Sequence, residues 1–182
     1  MSATVCFLHG RDSGPWGTKI RRLARIAEHY GCRVVSPDDR DTQSPEERVR
    51  RLVTLGATLP TPVILVGSSM GGYVAAAASS ALQPVGLFLL APAVGLPGYG
   101  MATPQVLAAH ITVVHGWDDA IVPTAQVIAF ARAHRATLHL LADGHLLQQD
   151  LDGVARLFAD FLAVCLGYNR PAMPRRELVA TL

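Results

Sequence analysis

Short apolar runs alternate along the chain with longer segments in which apolar residues recur every three or four positions. A short apolar run bounded by turn residues is typical of a buried strand, and the longer period is typical of an amphipathic helix. The runs predict strands at residues 4–9, 33–36, 63–67, 85–90, 111–115 and 137–141. The segments between them predict helices at residues 17–30, 45–59, 70–82, 124–135 and 147–165.

This alternation of strands and helices is the sequence form of stacked βαβ units with a parallel sheet. Half of the residues are apolar and only 16% are charged, which fits a sheet covered by helices on both faces. A chain of 182 residues is expected to form one domain with one core. We therefore predict an α/β protein built as a three-layer α/β/α sandwich.

The second helix has the clearest start signal. Ser44 can accept hydrogen bonds from free N–H groups, and Pro45 suits the first helical position. Glu47 lies where a capping box needs a carboxylate, so we expect the reciprocal pair of hydrogen bonds here. After the first helix, Gly31 is predicted to act as a stop signal.

Two segments lack a strand or helix pattern. Residues 91–110 form the longest connection and are rich in proline and glycine, and connections of this length are usually functional or mobile. Residues 167–182 contain two prolines and three arginines and are predicted to form a basic C-terminal tail. A surface appendage is the favoured interpretation of this tail over a partner-binding segment.

Charge and cysteine content exclude several function classes. The net charge of +2 is small. The densest group of basic residues fits the solvated face of a helix and consists of Arg21, Arg22 and Arg25. No nucleic-acid partner is therefore expected. The three cysteines lack zinc-ligand spacing, and Cys6 and Cys165 fit reduced core thiols, so neither a metal nor a cofactor is expected.

The sequence contains neither a signal-peptide pattern nor a membrane-spanning apolar stretch, and both observations bear on the location of the protein. The first strand follows the initial methionine almost at once, without the charged and apolar regions of a signal peptide. Glycine and proline interrupt every apolar stretch below the length that spans a bilayer. We expect a cytoplasmic protein that does not bind membranes.

A Gly-x-Ser-x-Gly motif lies between the third strand and the helix that follows it. Its sequence is Gly67-Ser68-Ser69-Met70-Gly71. On a sharp strand-to-helix turn, small residues two positions to either side let the two backbones approach, and the central serine hydroxyl projects above the sheet. Ser69 is therefore the candidate nucleophile, because Ser68 lies outside the glycine frame.

Candidate partners for this serine follow two later strands. A serine hydroxyl needs a nearby base, and the base needs a third group to orient it. Asp118 and Asp119 follow the fifth strand, and His145 follows the sixth. Groups at the carboxyl ends of parallel strands gather at one edge of the sheet, and the chain order Ser, Asp, His suits this arrangement.

The sequence resembles the α/β-hydrolase superfamily over residues 4–165. Within it, the sequence is similar to the small, nearly lidless serine esterases that include the retinoblastoma-binding serine hydrolase group. In such proteins the strand before the acid commonly ends in His-Gly-x-x-Asp-x-x-Val-Pro, which matches residues 115–123. The resemblance implies Asp119 as the acid and His145 as the base, while Asp118 remains an alternative acid. His115 is expected to order the acid loop.

The same resemblance implies a minimal fold and an oxyanion hole. The sheet would have the order 2-1-3-4-5-6 and no large cap, since residues 91–110 are too few to build one. His9-Gly10 at the end of the first strand resembles the family's oxyanion loop. The resemblance implies that the N–H groups of Arg11 and Met70 both donate to the oxyanion. Gly10 and Arg11 would also contact substrate. Many relatives carry an apolar residue in place of Arg11, whose side chain either favours an anionic substrate or points to water.

These features predict a serine hydrolase that cleaves small carboxylic esters through an acyl-enzyme. Acyl transfer to another acceptor and perhydrolysis use the same residues, so the sequence leaves them open. A second interpretation is a binding module that keeps the fold without the activity. A homodimer is also left open.

Overall fold

The computed structural model describes residues 2–101 and 103–168. Its strands are β1 (Thr4–Leu8), β2 (Arg33–Val35), β3 (Val63–Ser68), β4 (Gly86–Leu90), β5 (His110–Gly116) and β6 (Thr137–Leu141). Its helices are α1 (Thr18–His29), α2 (Pro45–Gly56), α3 (Met70–Leu82), α4 (Thr124–Ala133) and α5 (Leu151–Cys165). The basic tail predicted at residues 167–182 lies outside the described residues beyond Tyr168. The single-domain interpretation of residues 1–182 stays a prediction.

All six strands are parallel and pair in the order β2-β1-β3-β4-β5-β6, so the predicted sheet is confirmed. The chain first adds β2 on one side of β1 and then crosses to β3 on the other side. The connections leaving β1 and β3 therefore diverge to opposite faces of the sheet. In open α/β sheets, this reversal opens a crevice at the carboxyl ends of the strands.

The core has two halves, one on each face of the sheet. Cys6 and Leu8 of β1 pack on the face that carries α2, α3 and α4. Val5 and Phe7 of the same strand pack on the face that carries α1 and α5. Successive side chains of a strand point to opposite faces, so a strand buried on both sides must be apolar throughout. This confirms the three-layer architecture.

The start of α2 departs in one respect from the predicted capping box. The Ser44 hydroxyl accepts from the Glu47 N–H at 3.2 Å, as expected. The Glu47 carboxylate, however, pairs with Arg50 and Arg51 instead of returning to Ser44, whose own N–H donates to the Thr42 hydroxyl. The expected second bond is therefore wrong, because two arginines one turn later compete for the carboxylate.

Two helix ends differ by more than two residues from the sequence-based bounds. Helix α2 ends at Gly56, and the residues up to Leu59 continue as a turn. Helix α5 begins at Leu151 rather than at Leu147, which has a φ of 50° outside the right-handed helical region. Asp150 caps the helix by accepting from the Gly153 N–H at 2.8 Å.

No helix or strand occurs in the described residues between β4 and β5. This segment is tied to the helices beneath it: the Gly100 N–H donates to Glu46 Oε1 at 2.8 Å, and the Met101 N–H donates to the Tyr73 hydroxyl at 3.1 Å. Within these described residues, no helical cap covers the carboxyl ends of the central strands.

The three cysteines are free thiols, with Cys6 and Cys32 buried and Cys165 half-buried. Burial raises the pKa of Cys6 and that of Cys165 to about 12, so both stay protonated near neutral pH. The described residues contain no group of three or more side chains arranged to hold a metal ion. Within the same residues, no helix is both long and apolar enough to cross a bilayer.

Phe158 tests the packing of α5 on the sheet. Its side chain is fully buried and contacts the rings of Phe7 and Phe88. We expect Phe158→Ala to lower the free energy of unfolding by about 3–5 kcal/mol, since it leaves a cavity between helix and sheet. Urea unfolding followed by circular dichroism measures the change. The control is Val164→Ala on the same helix: Val164 is 50% exposed, so an effect within about 0.5 kcal/mol is expected.

Candidate active site

Ser69 occupies the turn between β3 and α3 in a strained backbone conformation, with φ 54° and ψ −119°. Such a conformation costs a residue other than glycine about 1–3 kcal/mol and persists only when its surroundings hold it. The Ser69 N–H donates to the Leu90 carbonyl at 2.9 Å, which ties the turn to the neighbouring strand. A Cβ on Gly67 would lie 2.2 Å from the Gly71 carbonyl oxygen, and one on Gly71 would lie 2.1 Å from that of Leu8. Both glycines are therefore required by close backbone contact.

A continuous set of hydrogen bonds joins Ser69, His145 and Asp119. His145 Nε2 lies 2.9 Å from Ser69 Oγ, and His145 Nδ1 lies 2.8 Å from Asp119 Oδ2. Because an ionised carboxylate only accepts, Nδ1 carries the proton and Nε2 is left to accept from the serine hydroxyl. The Asp119 side chain is fully buried, and that of His145 is 12% exposed. This arrangement lets the imidazole remove the hydroxyl proton of Ser69.

Asp119 is held as an anion by its own loop. Its Oδ1 accepts from the N–H groups of Ile121 and Val122 at 2.8 and 2.9 Å. Burial opposes ionisation, but these N–H groups and the His145 ring outweigh it, so the pKa of Asp119 is lower than usual. Asp118, the alternative acid, is exposed, and its side chain makes no hydrogen bond or ion pair with the described residues. The structure thus places Asp119, not Asp118, against His145.

His115 lies behind the acid loop with its side chain fully buried. Burial lowers its pKa, so the ring is neutral at physiological pH. Its Nε2 donates to the Val122 carbonyl at 3.1 Å and lies 3.6 Å from Asp119 Oδ2. The contact with Val122 ties the end of β5 to the turn that carries the carboxylate.

The loop that carries His145 depends on two residues that the sequence analysis did not single out. The buried Asp143 carboxylate accepts from the N–H groups of Gly144 and Gln149 at 2.7 and 2.8 Å. Lys19 of α1 donates from Nζ to the Leu146 carbonyl at 2.7 Å. An Asp-Gly pair commonly marks a turn in which the aspartate bonds to nearby backbone, so Asp143 carried a usable signal. Lys19 is distant in sequence and carried none.

The two candidate oxyanion donors lie beside the serine. Among the described residues, neither the Met70 N–H nor the Arg11 N–H has a backbone acceptor. Met70 is the first residue of α3, where N–H groups are unpaired and the helix dipole favours negative charge. The loop after β1 is close enough that a Cβ on Gly10 would lie 3.5 Å from Ser69 Cβ.

The serine opens into a cleft of about 510 Å³. The loop after β1 and the start of α1 contribute its polar side, including the cations of Arg11 and Lys19 and the carboxylate of Asp12. The lining also has an apolar part, to which Ile20, Ala93, Leu96, Pro97, Tyr99, Ile121 and Leu146 contribute. The cleft therefore offers an apolar surface and charged groups to one small ligand.

The fold and the site can be compared with known proteins. Residues 7–180 match the Alpha/beta hydrolase family, which is most of the chain. The chain belongs to that family. A solved structure from Xanthomonas campestris pv. campestris, assigned to the alpha/beta superfamily of hydrolases, is 34% identical to this alpha/beta hydrolase. The match covers 90% of this chain and 99% of that chain, with a TM-score of 0.79.

More distant structures share the fold of this alpha/beta hydrolase. One is a serine hydrolase without a lid from Xanthomonas campestris, with 21% identity, a TM-score of 0.70 and coverage of 94% of this chain and 84% of that chain. Another is the ydeN gene product of B. subtilis, with 19% identity, a TM-score of 0.74 and coverage of 92% and 100%. The search of curated proteins finds no match. The lidless neighbour agrees with the absence of a helical cap noted above.

Asp143 tests how the histidine loop of this alpha/beta hydrolase is held. Asp143→Ala leaves two backbone N–H groups without their acceptors, so we expect a loss of about 2 kcal/mol in the free energy of unfolding. Urea denaturation measures the loss, and faster hydrogen exchange at the Gln149 amide would locate it in the loop. Asp118→Ala is the matched control, with an expected effect within about 0.5 kcal/mol. Equal effects of the two substitutions would contradict this role of Asp143.

Proposed function

We propose that this protein is a serine hydrolase that cleaves small carboxylic esters through an acyl-enzyme. The observation that carries the proposal is the hydrogen-bonded chain from Ser69 Oγ through His145 to Asp119. Ser69, at one end of these hydrogen bonds, lies at the start of a helix and lines a cleft large enough for a small ligand. This arrangement supports Ser69 as nucleophile, His145 as base and Asp119 as orienting acid in an acyl transfer.

In the first step, Ser69 Oγ attacks the ester carbonyl carbon while His145 Nε2 takes the hydroxyl proton. Asp119 stabilises the imidazolium that forms and does not itself become protonated. The N–H groups of Met70 and Arg11 stabilise the negative charge on the former carbonyl oxygen. When the tetrahedral intermediate collapses, His145 returns the proton to the leaving alcohol and the acyl group stays on Ser69.

In the second step, water attacks the acyl-enzyme as His145 Nε2 takes its proton. Collapse of the second tetrahedral intermediate releases the carboxylic acid, and the proton returns to Ser69 Oγ. Replacing water with another nucleophile gives acyl transfer or perhydrolysis through the same intermediate. We favour hydrolysis because the described residues between β4 and β5 form no helical cap that would exclude water from the cleft. The open cleft also favours short acyl groups.

The resemblance to the retinoblastoma-binding serine hydrolase group stays a prediction. So do the cytoplasmic location, the lack of a nucleic-acid or membrane partner, and the choice between a monomer and a homodimer. None of these expectations enters the proposed reaction.

Substitution of Ser69 tests the nucleophile directly. We expect Ser69→Ala to lower kcat on short-chain p-nitrophenyl esters by at least about 10³-fold, because no other group can form the acyl-enzyme. Ser68→Ala is the matched control and should keep most of the activity, since Ser68 lies outside the hydrogen-bonded chain. Labelling with a fluorophosphonate probe should modify the wild type and the Ser68→Ala variant but not Ser69→Ala. Failure of the folded wild type to be labelled would support the non-catalytic binding module instead.

The charges in the cleft support a preference for esters with an anionic acyl group. Arg11 has no ion pair among the described residues, and Lys19 uses one of three donors on Leu146. Burial lowers the pKa of Lys19 to about 8, although the carboxylates of Asp143 and Asp119 oppose this change. Below this pH, the two cations outnumber the carboxylate of Asp12 in the lining.

The pH dependence of selectivity tests this preference. As the pH rises through about 8, Lys19 loses its proton, so the ratio of kcat/KM for a p-nitrophenyl hemisuccinate to that for the neutral butyrate should fall. The expected fall is about two- to fivefold, the range of a solvent-screened ion pair. In Lys19→Gln, which keeps a donor for Leu146 without the charge, the ratio should be lower at pH 7 and nearly constant. If the ratio has the same pH dependence in the wild type and in Lys19→Gln, Lys19 is excluded as the source of that pH dependence.

A further inference from the structure

Arg48 of α2 is a buried cation that the proposed reaction does not use. The residue is only 2% exposed. Its guanidinium donates from Nε and Nη2 to the Thr42 carbonyl at 3.1 and 3.0 Å. From Nη1 it donates to the carbonyls of His9 and Gly10, both at 3.3 Å. One side chain thus joins the loop before α2 to the candidate oxyanion loop after β1.

This burial needs an explanation, because removing a guanidinium from water is unfavourable unless hydrogen-bond partners replace the water. No carboxylate among the described residues forms an ion pair with Arg48. Burial lowers the pKa of Arg48, and the carboxylate that most opposes this change is that of Asp39, which is itself buried. The direct partners of the guanidinium are backbone carbonyls, so its structural effect is to fix the peptide groups that carry them.

His9 adds a second donor to the same peptide. The Asp39 N–H donates to His9 Nε2 at 3.1 Å, so this nitrogen is unprotonated and the ring proton lies on Nδ1. Nδ1 lies 2.7 Å from the Gly10 carbonyl oxygen and donates to it. The Gly10 carbonyl therefore accepts from both Arg48 and His9, which uses both of its lone pairs.

Fixing this carbonyl also fixes the N–H of Arg11. The C=O and N–H of a trans peptide lie in one plane and point in opposite directions. With the Gly10 carbonyl directed at Arg48 and His9, the Arg11 N–H is directed away from both side chains. The peptide lies beside the serine, because a Cβ on Gly10 would lie 3.5 Å from Ser69 Cβ. Hydrogen bonds to a carbonyl also polarise its peptide and strengthen the N–H as a donor.

We propose that Arg48 is a positioning residue that holds the Gly10–Arg11 peptide with its N–H available to the oxyanion. Without the guanidinium, the Gly10 carbonyl keeps only the His9 donor. Because glycine at position 10 lets the backbone rotate, this peptide then turns its N–H away from the site for part of the time. The inference rests on the proposed function, because only an acyl-transfer reaction requires the oxyanion donor.

The test is chemical rescue of Arg48→Ala. We expect kcat on p-nitrophenyl acetate to fall by about 10- to 100-fold with KM changed by less than about threefold, since the transition state loses a donor and the substrate loses little. Millimolar guanidinium should enter the vacated site and restore at least about tenfold in kcat with saturation, because it replaces the missing donors. Equal concentrations of sodium chloride or urea should not.

Leu52→Ala is the matched control, one turn later on α2 and equally buried at 2% exposure. It should lower the Tm as Arg48→Ala does, but keep the wild-type kcat and show no rescue. If guanidinium affects both variants alike, or if folded Arg48→Ala keeps kcat within about threefold of wild type, the role of Arg48 is overturned.

A second variant covers the case in which Arg48→Ala does not fold. Arg48→Lys keeps the charge, but its single ammonium does not bridge Thr42 and Gly10 as the planar guanidinium does. A folded Arg48→Lys protein with kcat reduced at least about tenfold supports the inference, and wild-type kcat overturns it. If the wild type itself neither hydrolyses the ester nor reacts with a fluorophosphonate, the proposed function fails. If the wild type is active and the Arg48 variants are equally active, the positioning role of Arg48 is overturned but the proposed function stands.

Discussion

The close approach of two backbones behind Ser69 is the constraint on which the rest of the site depends. Helix α3 approaches strands β3 and β1 so closely that a Cβ on Gly67 would lie 2.2 Å from the Gly71 carbonyl oxygen, and one on Gly71 would lie 2.1 Å from that of Leu8. Their contact, together with the bond from the Ser69 N–H to β4, holds the serine at a positive φ. A packed core of apolar strands opposes relaxation of this strain, so the hydroxyl stays in one position above the sheet.

The same close packing brings Asp119 and His145, the proposed acid and base, together. A Cβ on Gly116 would lie 2.2 Å from the Asp143 carbonyl oxygen, so the loop after β6 passes directly over the end of β5. Asp143 then fixes this loop through two N–H groups, while the loop after β5 fixes Asp119 in the same way. His145 lies between a buried carboxylate and a partly open cleft, which suits a base that must exchange protons with substrate and water.

Buried polar groups surround the site, and each bonds mainly to backbone. Asp119 and Asp143 accept from N–H groups, whereas Arg48 and the neutral His115 donate to carbonyls. A buried charge is tolerated only when hydrogen bonds replace its hydration, so these side chains make their loops rigid. Lys19 differs, because its pKa is lowered toward the physiological range beside the cleft. It donates to the Leu146 carbonyl, and its charge can change near neutral pH, unlike that of Arg48.

The sequence by itself determined the sheet, its parallel strands and the residues around Ser69, because buried strands, amphipathic helices and a glycine-framed turn each leave a local pattern. The order of the strands came from the resemblance, and so did the preference for Asp119. Only the tertiary structure decided that Asp119 rather than Asp118 meets His145, because a small shift of a loop exchanges neighbouring side chains. The contact of Arg48 with Gly10 could not be predicted from the sequence either. It joins residues 38 positions apart, and it depends on how α2 is packed relative to β1.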